Sequence, residues 1–267
     1  MTISVTIVGA TGWTGSELVR AVAAAPDLRL VGAVARRAAG QDAGVAAGGG
    51  KPLNVTVSAT LADALAAAPA DVVVDYTKPD AVKGHALAAI EAGSAVVIGT
   101  SGLTAGDYAE IDAVARARGV GVFAAGNFSI TAALMIRFAL MAARYVADVE
   151  VIDYASATKP DVPSGTAREL AERLGEVRQE GTARPADTLT GPVETRGAEI
   201  GRTRVHSLRL PSYVISCEAL FGAQDERLSI RHDAGSGATP YVGGTLLAIR
   251  RVREQPGLRR GLDTLLT

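Results

Sequence analysis

The sequence predicts two different architectures in succession: a doubly wound parallel α/β sheet, then an α+β domain whose sheet is mostly antiparallel. Three observations predict this. Short β-branched runs alternate with helical patterns from residue 3 to about residue 126, a glycine-rich turn joins the first strand to the first helix, and the rhythm changes after Phe128. Continuous apolar strands alternating with helices indicate a parallel sheet covered on both faces and wound by right-handed crossovers.

In chain order, the strand-like runs are ISVTIVGA at 3–10, LRLVGAVAR at 28–36, LNVTVSA at 53–59, DVVVDYT at 71–77, SAVVIGT at 94–100 and GVGVFAAG at 119–126. Each is a short apolar stretch bounded by turn residues. Between them lie helical patterns at 14–25, 80–93 and 105–119, where apolar residues recur at helical spacing. The glycine-rich segment at 38–51 breaks the alternation and reads as a mobile surface loop. Beyond Phe128 come a long helix at 131–146, a strand at 149–157 and an amphipathic helix from Ser164 with Ala167, Leu170, Ala171, Leu174 and Val177 on one face. A polar stretch at 182–201 precedes three strands at 203–210, 212–222 and 226–234, with short turns at Pro211-Ser212 and Gly222-Ala223 that favour antiparallel neighbours. The segment at 241–255 is helical and is expected to return to the first domain. The domains are thus 1–127 with 238–267, and 128–237.

Composition narrows the function. A 267-residue chain that is 48% hydrophobic can bury a sizeable core, and 27 Lys plus Arg against 28 Asp plus Glu give a net charge of −1, no handle for nucleic acid or an anionic membrane. Partners are expected to be small molecules or further copies of the chain. A single cysteine and three histidines exclude a disulfide scaffold within the chain and a Cys/His zinc cluster. The opening residues lack a basic stretch followed by an apolar one, so no signal peptide is expected, and the protein is placed in the cytoplasm.

Gly9-Ala10-Thr11-Gly12-Trp13-Thr14-Gly15 follows the first strand and opens the first helix. Glycines there let the backbone approach a pyrophosphate whose charge sits at the helix N-terminus, as in a Rossmann-like dinucleotide site; an ordinary tight turn is the competing reading. Trp13 either shields the pyrophosphate or merely packs. At the end of the second strand stand Arg36 and Arg37, with no acid to take a ribose 2′-hydroxyl. Guanidinium groups suit a 2′-phosphate, which makes NADPH the preferred cofactor and NADH the alternative, against a reading as a solvated basic loop. Further on, Lys159 precedes Pro163-Ser164-Gly165-Thr166, and the last three open a helix whose first amides lack partners. An anion would complete them, with Ser164 as a plain helix cap the competing reading.

Taken in order, the glycine turn, Asp75-Tyr76-Thr77-Lys78-Pro79, Gly99-Thr100-Ser101-Gly102, Asn127-Phe128-Ser129 and Lys159 with Pro163-Ser164-Gly165-Thr166 resemble the dihydrodipicolinate reductase family over nearly the whole chain. The resemblance implies a first domain that binds NAD(P)H, a second that binds a cyclic dicarboxylate, and homotetramers assembled through the second-domain sheet. It makes Gly9, Thr11, Gly12, Trp13, Thr14 and Gly15 the pyrophosphate turn, with Arg36 and Arg37 near the adenosine ribose. Tyr76 and Thr77 are implied as cofactor-binding, and Gly99, Thr100, Asn127 and Phe128 fall toward the nicotinamide, with Ser101 beside them on the substrate side. Lys159 would face the substrate as the catalytic residue, and Ser164, Gly165 and Thr166 would hold one of its carboxylates. No metal is implied.

One part of the pattern is missing. The family carries a histidine pair four and three residues before this lysine, one of which supplies the proton; here those positions are Ala155 and Ser156. Other departures, at Thr131, Ala133 and Gly237, also fall on the substrate side. The expectation is an NAD(P)H-dependent reductase of a cyclic imine or unsaturated N-heterocycle bearing carboxylate, with diverged preference, in which Lys159 or a water near Tyr154, Ser156 and Thr158 replaces the histidine. The alternatives are the ordinary reaction on 4-hydroxy-tetrahydrodipicolinate with a substitute acid, and a non-catalytic NADPH-binding redox sensor. His85 is expected on a helix surface, His206 and His232 in structural roles, and Cys217 as a small buried hydrophobe.

Overall fold

The computed structural model describes residues 2–266, in two compact units. The first comprises the chain up to Ile130 together with the segment from Ala238 onward; the second is Thr131–Gly237.

The first unit is a seven-stranded, all-parallel sheet. Its elements are β1 (Ile3–Val8), α1 (Trp13–Ala24), β2 (Leu28–Val34), α2 (Ala43–Ala46), β3 (Val57–Ser58), α3 (Leu61–Ala67), β4 (Val72–Asp75), α4 (Pro79–Glu91), β5 (Ala95–Ile98), α5 (Ala105–Arg118) and β6 (Gly121–Ala124). Two later elements, α8 (Thr239–Arg251) and β12 (Gly257–Arg260), complete it. The strand order is β12-β6-β5-β4-β1-β2-β3, so the winding reverses between β1 and β4. Ligands of open α/β sheets bind at the carboxyl ends of the strands flanking such a reversal. Every residue of β4, β5 and β6 is buried, as covering both faces of a parallel sheet requires. Helix α1 turns Leu18, Val19 and Val22 inward, and α5 is closed by a Thr104–Asp107 capping box and a left-handed Gly119.

In the second unit, α6 (Ile130–Ala142) leads to β7 (Asp148–Ala155), α7 (Gly165–Val177), β8 (Ala198–Ile200), β9 (Thr203–Arg209), β10 (Ile215–Ala223) and β11 (Glu226–Ala234). The five strands run β11-β10-β7-β9-β8. Met135, Ile136 and Ala139 of α6 and Leu170 and Leu174 of α7 pack with Val149, Val151, Cys217 and Phe221, so both helices cover the same sheet face. Strict burial alternation along β7 follows from that one-sided cover.

Several expectations are corrected. The 38–51 segment is not an unstructured loop: α2 lies within it, and the Asp42 carboxylate accepts from the amides of Gly44, Val45 and Leu53. That fan of amides holds the Asp42 carboxyl below its usual range. The β9–β10 connection is no hairpin, because β7 lies between the two strands and pairs parallel with β9 and antiparallel with β10. Gly222 and Ala223 belong to β10, and the turn falls at Asp225, which takes a left-handed conformation. Helices α2 and α3 and strands β8 and β12 are additional to the predicted elements.

Candidate active site

The glycine turn sits at the carboxyl end of β1, where the sheet order reverses. Gly9 has φ +86°, and a Cβ on it would lie 2.4 Å from the Tyr76 carbonyl oxygen. A Cβ on Gly15 would lie 2.0 Å from the Gly9 carbonyl oxygen. Neither position accepts a side chain without backbone movement. The Gly12 amide donates to the Gly9 carbonyl at 2.9 Å, and Gly12 caps α1 without a side-chain acceptor. The helix therefore presents its first amides, with their positive dipole end, to whatever anion lies there. Thr11 and Trp13 are exposed and Thr14 half-buried beside it, with the Trp13 ring edge-on to Tyr241 at 5.7 Å. These features fit a dinucleotide pyrophosphate.

Arg36 and Arg37 occupy a single 3₁₀ turn after β2, both exposed, and no carboxylate pairs with either among the described residues. Behind the turn, Tyr76 follows β4 and its ring lies where any Cβ on Gly99 would be, 2.1 Å away. The Tyr76 hydroxyl meets Thr245 Oγ1 at 2.8 Å, and burial pushes it well above its ordinary range. Thr77 and Thr100 both bind the buried Asp75 carboxylate, while Ser101 is exposed. Asn127 is buried, its Oδ1 accepting from the Ser129 amide at 2.8 Å. Phe128 is 2% exposed and packs edge-on against Tyr76 and Phe123. Its ring buttresses Tyr76 and offers no surface to a ligand.

The second unit builds the Lys159 turn around a charge pair that the sequence reading missed. Asp153 is fully buried on the helix-covered face of β7. It accepts from the Ser164 amide at 3.0 Å, the Ser164 hydroxyl at 2.6 Å, the Ser207 hydroxyl at 3.1 Å and the Arg209 guanidinium at 2.8 Å. Arg209 also donates to the Asp161 carbonyl at 2.6 Å, so the pair fastens both ends of the 161–164 segment. Ser164 is fully buried; its oxygen accepts from the Ala167 amide while its proton goes to Asp153. Its side chain is committed as a cap, and the first turn of α7 opens at Gly165. Lys159 Nζ pairs with Asp161 Oδ1 at 2.7 Å and keeps about a quarter of its side chain exposed. Asp153 alone carried a signal, a charge at an inward position beside Val149 and Val151; nothing marked Arg209 on the polar strand β9.

Ala155 is fully buried at the end of β7. Tyr154, on the opposite face, donates its hydroxyl to Glu218 at 2.8 Å, and burial, with the Glu218 carboxylate, pushes it up to about 12. It is therefore withdrawn as a site for a donor water, leaving Ser156 and Thr158, whose hydroxyls lie 3.3 Å apart. His85 lies on α4 with 29% of its side chain exposed, and its Nδ1 also reaches the Asp75 carboxylate at 2.7 Å. His206 binds Glu150 at 2.7 Å, and burial lowers His232 below its ordinary value. Burial, then the Asp153 charge, push the Cys217 thiol up to about 12, which suits a packed hydrophobe.

Comparison with known proteins adds full-length matches. Residues 3–128 match the model of the dihydrodipicolinate reductase N-terminus, and residues 131–266 that of its C-terminus. The 4-hydroxy-tetrahydrodipicolinate reductase of Moorella thermoacetica is 40% identical over 99% of this chain and 98% of its own. That of Nocardia farcinica is 38% identical over 100% and 99%. A dipicolinate-bound dihydrodipicolinate reductase from Paenisporosarcina sp. TG-14 superposes with a TM-score of 0.77 at 31% identity, covering 99% of both chains. An amine dehydrogenase from Mycobacterium smegmatis, at 15% identity and a TM-score of 0.69, shares the fold.

Proposed function

This chain belongs to the dihydrodipicolinate reductase family, an NAD(P)H-dependent oxidoreductase family, and on that premise we propose that it reduces a cyclic imine bearing carboxylate. A reduced nicotinamide, when bound, supplies the hydride. The glycine turn and the uncapped α1 hold the pyrophosphate, and Arg36 and Arg37, free of acidic partners among the described residues, favour a 2′-phosphate and hence NADPH over NADH. Tyr76, Thr77, Gly99, Thr100 and Asn127 shape the nicotinamide end, with Ser101 toward the substrate.

The observation that carries the substrate half is the turn fastened by Asp153 and Arg209, which presents an ammonium at Lys159 beside the N-terminus of α7, where Ser164, Gly165 and Thr166 stand. Both favour an anionic ligand, one by charge and the other by the helix N-terminus. A carboxylate approaching Lys159 has to displace or share it with Asp161. Adding hydride to a neutral imine leaves nitrogen needing a proton, which Lys159 or a water at Ser156 and Thr158 delivers. The shared name of the relatives supports 4-hydroxy-tetrahydrodipicolinate as substrate. A second reading, a diverged imine reductase, is favoured by buried Ala155 in place of an acid: a cyclic imine basic enough to arrive protonated accepts hydride without any donor.

The sheet face turned away from α6 and α7 carries Ile152, Tyr154, Leu208 and Leu220 among charged neighbours, which suits pairing with further copies into a homotetramer. No described helix is long and apolar enough to cross a membrane, and we place the enzyme in the cytoplasm.

The test follows NADPH absorbance with freshly generated 4-hydroxy-tetrahydrodipicolinate and then with simple cyclic imines, with cofactor titration in parallel. Consumption with the first substrate supports the ordinary reaction, and consumption only with the others supports the diverged one. Tight cofactor binding without consumption leaves a redox sensor. Lys159→Ala is expected to lower turnover by about 10²-fold or more, the scale of a lost acid, while NADPH affinity stays within about twofold. Unchanged turnover removes Lys159 from the mechanism.

A further inference from the structure

Asp75, the last residue of β4, is fully buried and carries four hydrogen bonds. Its Oδ1 accepts from the Thr77 amide at 3.0 Å, the Thr77 hydroxyl at 2.7 Å and the Thr100 hydroxyl at 2.7 Å. Its Oδ2 accepts from His85 Nδ1, on α4, at 2.7 Å. An ionised carboxylate has only lone pairs to offer, so the Nδ1 proton belongs to this bond. The Thr77 amide also reaches Thr100 Oγ1 at 2.8 Å, which knits the segment after β4 to the segment after β5. His85 is the only ionisable side chain bonded to this carboxylate among the described residues.

We propose that His85 is a positioning residue for the nicotinamide end of the cofactor, acting through Asp75 on Thr77 and Thr100. The bond at Oδ2 fixes the carboxylate plane, and that plane decides whether Oδ1 can gather three donors from two loops. Without it, a buried charged oxygen lacks a partner, and the carboxylate turns toward the partly exposed space vacated by the imidazole. Thr77 and Thr100 then lose their common acceptor, and Tyr76 and Gly99, in contact with each other, shift with them. His85 itself would touch neither cofactor nor substrate. The inference rests on the proposed placement of residues 76–77 and 99–100 at the nicotinamide.

The test compares wild type with His85→Ala, His85→Asn and His85→Gln. An Asn amide places a donor close to the position of Nδ1, whereas a Gln amide reaches past it. Calorimetry gives the affinity for NADPH and for 2′-phospho-ADP-ribose, which lacks the nicotinamide. His85→Ala and His85→Gln are expected to weaken NADPH about tenfold, the scale of one lost hydrogen bond to a charged group, with 2′-phospho-ADP-ribose unchanged within about twofold. His85→Asn is expected to recover most of the loss. If His85→Ala does not fold, the Asn and Gln variants carry the same contrast. Wild-type NADPH affinity in all three variants, or equal weakening of both ligands, overturns the role of His85 alone. A wild type that binds both ligands equally, or neither, overturns the placement of the nicotinamide and the proposal with it.

Discussion

Asp153 is the residue on which the Lys159 turn depends. It is fully buried, and its charge is balanced by Arg209 and by donors from Ser164 and Ser207. Removing one member of a buried, hydrogen-bonded charge pair strands the other, at a cost of about 3–5 kcal/mol. Asp153→Ala is therefore expected to lower the urea midpoint by that equivalent and to raise the KM for the carboxylated substrate, with NADPH affinity little changed. Unaltered KM would separate the buried pair from ligand recognition. Lys159, Ser164, Gly165 and Thr166 were legible because a lysine followed by Pro-Ser-Gly-Thr is a local pattern. The pairs Asp153–Arg209 and Asp75–His85 were not, since their members stand 56 and 10 residues apart and only the completed fold selects them as partners.

At the scale of elements, α1 carries the cofactor half of the site because its first turn lies directly on the Gly9 carbonyl. Gly15→Ala places a methyl 2.0 Å from that oxygen, closer than any backbone atom can tolerate. The helix must then retreat, and its amides with it. A backbone displacement of this kind costs roughly 1–3 kcal/mol, so NADPH affinity is expected to fall at least about fivefold while α1 itself remains helical by circular dichroism. Retained affinity would exclude the α1 terminus as the anion site. Strands such as the VVV of β4 and AVVI of β5 were readable because a strand buried on both faces shows a continuous apolar run. The three-residue β8 is largely exposed and β12 contains two arginines, so neither shows that signature. The β7–β9 parallel pairing escaped for another reason: strand composition says what is buried but not which strand lies alongside.

The whole molecule should be acid-labile in two stages. Burial alone would raise the Glu150 carboxyl, but Arg196 and His206 more than offset it and hold it below its ordinary value. Asp42 and Asp148 are lowered too, chiefly by the Leu53 amide and the Thr182 hydroxyl respectively. These groups add stability that is complete above the unfolded carboxylate values near about 4 and is lost as pH falls through the lower folded ones. Burial depresses His232 in the same sense, so decline begins below about pH 6.5, the unfolded histidine value. Melting temperatures measured down the pH scale should show a shallow fall and then a steep one, with His232→Gln flattening the first. A single steep fall would assign no part to His232. The same carboxylates bind distant segments of chain, and the order in which those segments are made matters for the sheet as well. Strand β6 borders β5 on one side and β12 on the other, and β12 is encoded after the entire second unit. On the ribosome, one edge of the nascent sheet therefore stays bare while more than a hundred further residues are translated. A message truncated before Gly257 would release a polypeptide with that edge permanently open, prone to capture by chaperones or to self-association.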